Sequence, residues 1–160
     1  MDNEQRCSTL IPNLKGIFTA DNVPSHPHDG LYIINPHPQH CAGKHWLAYW
    51  QQGAYSELFD TLGHNPFSYP FLHDWLNTLP QPIDWCHRRI QLKQECCLDY
   101  CIYYLCERPL SSEQSLSDFL FSRPRFRSIY PPDALLMTEC DITSMLAYND
   151  NYVASYVKYI

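Results

Sequence analysis

The chain has 160 residues, 45% of them apolar, which suffices for one domain with a buried core and excludes a disordered tail. Charged residues make up only 18%, and acids outnumber bases 17 to 11 for a net charge of -6, so no broad cationic face for nucleic acid is expected. No run reaches the roughly 18 to 20 apolar residues of a membrane span, and the opening MDNEQRCSTL lacks both regions of a secretion signal; a soluble, non-secreted protein is expected.

Thirteen prolines, densest over 24–38 and 124–132, punctuate a single domain spanning 1–160. LYIIN at Leu31–Asn35 reads as a short strand, followed by strands at His45–Gln51 and Tyr55–Asp60. The link Gln52-Gly53-Ala54 makes the last two an antiparallel hairpin. In SYPFLHDWLNTLP, Leu72, Trp75, Leu76 and Leu79 follow helical spacing and Pro80 ends the run, predicting a helix with one apolar face. Ile83–Gln91 reads as a strand with polar interruptions.

That strand leads into CCLDYCIYYLCER, apolar nearly all round, with Asp99 in its first turn and Pro109 beyond its end, as suits a central buried helix. Ser111 and Gln114 resemble a capping box for a helix through Phe121. After a loop over Arg123–Asp133, helices are expected around Ala134–Leu146 and after an Asp150 cap, the last with Val153, Tyr156, Val157 and Ile160 on one face. Strands in the first half and helices in the second predict an α+β fold, a small mixed sheet packed on the central helix.

Three residue types in this order bear chemistry. His45 opens a strand, Asp60 closes the next, and Cys97 heads the central helix. An imidazole and a helix N-terminus both favour a thiolate, and a carboxylate orients the imidazole and stabilises its cation. Gln91, six residues before Cys97, is in reach to give a side-chain N–H to an oxyanion beside the Cys97 backbone N–H.

The order His, Asp, Gln, Cys and the local motifs resemble the adenain family of adenovirus-type cysteine proteases, including relatives encoded by adintoviruses and Polinton (Maverick) elements. GKHWLAYW is similar to the family's G-x-H-W-[MLV]-A segment, LFDTLG to F-[DE]-x-x-G, and QLKQECCLDYCIYYL to Q-x5-C-G-x-[YF]-C-x-x-[YF]-L. GIFTADNVP resembles the substrate-facing segment of these relatives, and the pattern from Asn149 to Val157 resembles their last helix. The resemblance implies the fold shared with ubiquitin-like-protein proteases, with His45 as base, Asp60 as acid, Gln91 as oxyanion donor and Cys97 as nucleophile. Cys96 is the rival nucleophile, but Cys97 alone keeps both the spacing to Gln91 and the Tyr100-Cys101 pair. Leu98 departs from the glycine of the family and is expected to crowd the turn or the substrate.

The implied activity is a cysteine endopeptidase that cuts viral precursor proteins during virion maturation, in the virion and the host nucleus or cytoplasm. The alternatives are a ubiquitin-like-protein deconjugase and a catalytically impaired homologue serving as a capsid or scaffold interaction protein. The chemistry requires no cofactor. The resemblance implies a capsid-derived activating peptide, for which the strand near Cys86 offers a sheet edge and a thiol, and DNA. Only a weak DNA response is expected, since Arg88, Arg89, Arg123, Arg125 and Arg127 form at most a small patch.

Several further residues have plainer readings. Eight cysteines without a CxxC pair read as reduced thiols, and Cys86-His87, Cys96-Cys97 and Cys101 fall at no usual zinc spacing, so no metal is expected. Cys101 and Cys106 are expected in the core, and Trp46 as packing that fixes the His45 backbone. His26, His28, His37 and His40 lie in a proline-rich loop. His64 follows the Asp60 segment without the strand-to-strand relation of His45 to the acid, and is not read as the base.

Overall fold

Side chains alternate along Leu31–Ile34 and Leu47–Trp50, and the structure buries both sets, one on each face of a sheet. The computed structural model describes residues 2–41, 43, 45–90, 97–123 and 126. The strands are β1 (Leu14–Thr19), β2 (Gly30–Asn35), β3 (Leu47–Gln52), β4 (Tyr55–Phe59) and β5 (Asp84–Trp85), in spatial order β1-β2-β3-β4-β5. The inner pairs β2–β3 and β3–β4 are antiparallel and the outer pairs β1–β2 and β4–β5 are parallel, making a mixed, open sheet. The helices are α1 (Asn3–Leu10), α2 (His73–Leu76), α3 (Cys97–Glu107) and α4 (Leu116–Ser122). The fold class is α+β, as expected.

On one face Leu31, Ile33, Ala48, Trp50 and Phe59 pack against α1, α3 and α4. In α3 every residue except Cys106 is buried, so this helix is the centre of the larger core. On the other face Tyr32, Ile34, Leu47, Tyr49 and Leu58 meet Leu72, Trp75, Leu76 and Leu79. A buried ion pair ties the layers together. Glu57 of β4 takes Arg108 Nε at 2.7 Å and Nη2 at 3.2 Å, while the hydroxyls of Tyr55 and Tyr104 donate to its two oxygens. Arg108 also donates to the carbonyls of Ser111 and Gln114 and lies over the ring of Trp50, so the charges are enclosed with partners on both sides.

Several boundaries differ from the sequence reading, each for a local reason. The predicted helix at 68–79 is two 3₁₀ turns, Pro66–Ser68 and Pro70–Leu72, followed by the single turn α2. Pro70 drives Tyr69 into extended backbone, with φ -90° and ψ 105°, which interrupts any helix there; the apolar stripe is buried nonetheless. The strand expected at 83–91 shrinks to Asp84–Trp85, because the chain then leaves the sheet to pack on the turn after Asp60. Ser111 is not a helix cap: it ends the 3₁₀ turn Arg108–Ser111, which has Pro109 as its second residue, and Ser115 caps α4 by accepting Asp118 N–H at 3.1 Å.

Two elements escape the sequence reading. Helix α1 is capped by Asp2, which exchanges hydrogen bonds with Gln5, and β1 runs parallel to β2 with a bulge between Leu14 and Gly16. The expected helices at 134–146 and 150–160 lie outside the described residues.

Candidate active site

The β3–β4 hairpin brings two candidate residues to its open end. Ala48 pairs with Phe59, so His45, two residues before β3, and Asp60, one residue after β4, meet at the same edge of the sheet. His45 Nε2 lies 2.8 Å from Asp60 Oδ1, and the two residues are 5% and 2% exposed. Both flank their strands rather than lie within them, a displacement of one or two residues from the sequence reading.

Both carboxylate oxygens have further donors. Leu62 N–H donates to Oδ1 at 2.9 Å, and the Tyr69 hydroxyl donates to Oδ2. Burial alone would raise the Asp60 pKa, but the bonds from His45, Tyr69 and Leu62 and the charge on His45 outweigh it and hold the carboxyl below its ordinary value. An ionised carboxylate only accepts, so His45 Nε2 must carry the proton. In neutral His45 the lone pair is therefore on Nδ1, which is buried with no hydrogen-bond partner among the described residues.

The turn that presents Asp60 is fixed by close backbone packing. Gly63 N–H donates to the Asp60 carbonyl at 2.9 Å, and Gly63 has φ +73°, a left-handed conformation. A Cβ at this position would lie 2.4 Å from the Arg88 carbonyl carbon and 2.7 Å from Arg89 N. Ile90 N–H donates to the Thr61 carbonyl at 2.6 Å, so the stretch just before Gln91 is stitched to the acid's turn. The glycine of the LFDTLG motif thus has a mechanical reason. Gln91 and Cys96 lie outside the described residues.

Helix α3 carries Cys97 to the same edge. Cys101 donates its thiol to the Trp46 carbonyl at 3.5 Å, and Cys97, one helical turn earlier, takes a hydrogen bond from the Trp46 backbone N–H. The Cys97 sulfur therefore sits beside the His45–Trp46 peptide, within the field of the Asp60 charge. The expectation of a lowered thiol pKa is corrected: burial, at 1% exposure, pushes Cys97 up to about 11, with the Trp46 and Leu98 N–H bonds only partly offsetting it. With that value Cys97 holds its proton at neutral pH.

Leu98 follows Cys97 in the first turn of α3. Its backbone is helical, with no positive φ, and its side chain belongs to the large core cluster. Cys101 is wholly buried, as expected, while Cys106 is only partly so and donates to the Leu10 carbonyl. Trp46 is partly buried against the core.

Two further side chains, Tyr69 and His64, join the Asp60 network. Tyr69 is 9% exposed, donates to Asp60, and stacks on His45 with ring centroids 6.3 Å apart. The only sequence signal is an aromatic residue immediately before a proline. His64 Nδ1 lies 3.1 Å from the Tyr69 hydroxyl and 4.0 Å from Asp60 Oδ2, so it belongs to the same network.

Other expectations are narrowed. The Cys86 thiol is 2% exposed and donates to the Arg88 carbonyl, so it is not presented for a disulfide with a partner. Arg88 donates to the Phe126 carbonyl, and Arg123 donates to Ser111 Oγ and Ser122 Oγ and lies over the Phe119 ring, which commits two of the five patch arginines to internal contacts. Arg125 and Arg127 lie outside the described residues. Among the described residues no group of three or more His, Cys, Asp and Glu is arranged to hold a metal, no disulfide joins the cysteines, and no helix is long and apolar enough to cross a membrane. No protein-family model and no curated protein matches the chain.

Proposed function

We propose that the chain is a cysteine endopeptidase of the adenain type, cutting viral precursor proteins during virion maturation. The observation that carries this reading is the buried His45, donating through Nε2 to Asp60 and keeping an unpartnered Nδ1 beside the peptide that binds the Cys97 sulfur.

In this reading His45 Nδ1 takes the Cys97 thiol proton as sulfur attacks the scissile carbonyl carbon. The oxyanion is held by the Cys97 backbone N–H and, by the resemblance, Gln91. The tetrahedral adduct collapses: the C–N bond breaks, the His45 proton passes to the leaving amine, and a thioester on Cys97 remains. Water then attacks the thioester, giving its proton to His45. Cleavage of the C–S bond releases the carboxyl product and the thiolate regains the proton. Asp60 keeps the imidazole in the required tautomer and stabilises its cation, and Tyr69 holds the other carboxylate oxygen.

Activation by a capsid-derived peptide and a weak DNA response belong to the same proposal. The internal engagement of Arg88 and Arg123, with a net charge of -6, supports a weak response.

The test is incubation of the purified chain with candidate virion precursors, alongside a ubiquitin-like precursor ending in Gly-Gly, and mapping of the cuts by mass spectrometry. Cys97→Ala and His45→Ala should abolish cleavage, Asp60→Asn should reduce it by up to about 10⁴-fold, and Gln91→Ala by about 100-fold or more. Cleavage that survives intact in His45→Ala refutes the mechanism. Selective cutting of the Gly-Gly precursor reassigns the enzyme as a deconjugase.

A further inference from the structure

His64 stands four residues after Asp60, where the Gly63 turn folds the chain back over the carboxylate. Its side chain is 55% exposed, in contrast to the enclosed Asp60, Tyr69 and His45. The hydrogen-bond roles in the network are determined. The Tyr69 hydroxyl proton is committed to Asp60 Oδ2, and Tyr69 remains a phenol because burial and then the Asp60 charge drive its pKa far upward. His64 Nδ1, 3.1 Å from the Tyr69 oxygen, must therefore be the donor to it, as the neutral Nδ1–H tautomer or as the cation. The chain of bonds runs from solvent inward: His64 to Tyr69, Tyr69 to Asp60, with His45 on the opposite oxygen.

We propose that His64 is a positioning residue for the candidate catalytic pair: through Tyr69 it holds the second oxygen of Asp60, and its protonation state sets how tightly Asp60 holds the His45 imidazolium. The inference rests on the endopeptidase reading for its functional meaning, although the coupling it describes does not require turnover. When His64 is protonated, a second cation lies 4.0 Å from the same carboxylate and competes with His45 for its negative charge. His45 then binds a proton less readily. The titratable groups that face His64 are Asp60 and Tyr69; His45 lies on the far oxygen of the same carboxylate, Cys97 is in the field of Tyr69, and the backbone of Arg88 and Arg89 packs on the neighbouring Gly63. The Arg88 guanidinium bonds to the Phe126 carbonyl, and the groups bonded to the Asp60 carboxylate are His45, the Tyr69 hydroxyl and the Leu62 N–H, with His64 4.0 Å from Oδ2.

The experiment is an NMR titration of the His45 ring in the full chain, comparing the native protein with His64→Gln, which leaves a neutral hydrogen-bonding side chain. His64→Asn serves the same comparison if the glutamine variant folds poorly. The His45 midpoint is expected to rise by at least about 0.3 pH unit in the variant, the order of shift that one unit charge acting through a water-like dielectric produces. A purely structural role for His64 would change thermal stability without moving this midpoint. Coincident midpoints, or a His45 ring that does not titrate between about pH 4 and 9 in either protein, overturn the proposal. Failure to cleave any precursor would count against the endopeptidase reading and leave this titration to be judged on its own result.

Discussion

Two glycines with left-handed backbones make a matched test of whether the acid's turn is held by packing. Gly53, at the tip of the β3–β4 hairpin, has φ +60° and nothing within 4 Å of where a Cβ would stand. Gly63 has φ +73°, and a Cβ there would lie 2.4 Å from Arg88 C, 2.6 Å from Arg88 O and 2.7 Å from Arg89 N. An alanine at either site bears the left-handed penalty of about 1–2 kcal/mol, partly offset by the stiffer unfolded chain. Gly53→Ala should therefore cost about 1 kcal/mol.

Gly63→Ala adds two further effects. The Arg88–Arg89 backbone must retreat, an overpacking cost of about 1–3 kcal/mol, and the Ile90 N–H bond to Thr61 O, 2.6 Å long, is stretched or lost at about 1 kcal/mol. The expected total is about 3–5 kcal/mol, or about 2–4 kcal/mol more than Gly53→Ala. Urea unfolding followed by tryptophan fluorescence measures both, with unchanged denaturant slopes confirming that the same native state is being unfolded. A difference between the two variants below about 1 kcal/mol would refute the claim that the Asp60 turn is pinned by the backbone leading to Gln91.

Leu98→Gly should destabilise by about 3–5 kcal/mol through a core cavity and the poor helix propensity of glycine, with no large gain in cleavage; a stable variant with greatly increased turnover would mean that Leu98 impedes the site. Arg108→Met should cost about 3–5 kcal/mol in thermal or urea unfolding, because Glu57 is left buried with only tyrosine donors. Because Asp60 titrates below its ordinary value when folded, its stabilising contribution is complete above about pH 4 and is lost as pH falls through the folded value; Asp60→Asn should flatten urea midpoints measured over that acid range. Iodoacetamide at pH 7.5 should label exposed Cys41 well before Cys97, whose thiol is buried and shifted to about 11; peptide mapping that finds Cys97 modified first would contradict the resting state derived above.

The β2, β3, β4 and α3 elements are legible in the sequence because each has a strong local pattern: β-branched runs, a glycine between two aromatic strands, and an unbroken apolar helix. His45, Asp60 and Cys97 stand out through their order along those elements. Helix α1 escapes notice because its burial centres on Cys7, leaving no apolar stripe, although Asp2 and Gln5 spell out its cap. Strand β1 is hidden by Lys15 and Gly16 at its bulge and by pairing with β2 in parallel across a crossover. Tyr69 is invisible for a different reason. Its role depends on a proline-enforced extended backbone between two 3₁₀ turns, and no periodic pattern reports where such a side chain will point.

The resting thiol changes what the Asp60 network must accomplish. A site that stored a thiolate at rest would need a cation beside sulfur; here burial keeps the proton on Cys97, and Asp60 adds negative charge that further disfavours the anion. In the proposed mechanism, charge then appears on His45 only while the sulfur is attacking. In that mechanism the carboxylate that disfavours an isolated thiolate is the same group that stabilises the imidazolium, so its position on Nε2 would favour proton transfer only as sulfur's negative charge passes on to the substrate oxygen. A carboxylate with that task must not wander or take up a proton. Its bonds from Leu62 N–H, Tyr69 O–H and His45 satisfy that demand, and the turn that holds it is braced at Gly63 and Thr61 by the segment preceding the candidate oxyanion donor.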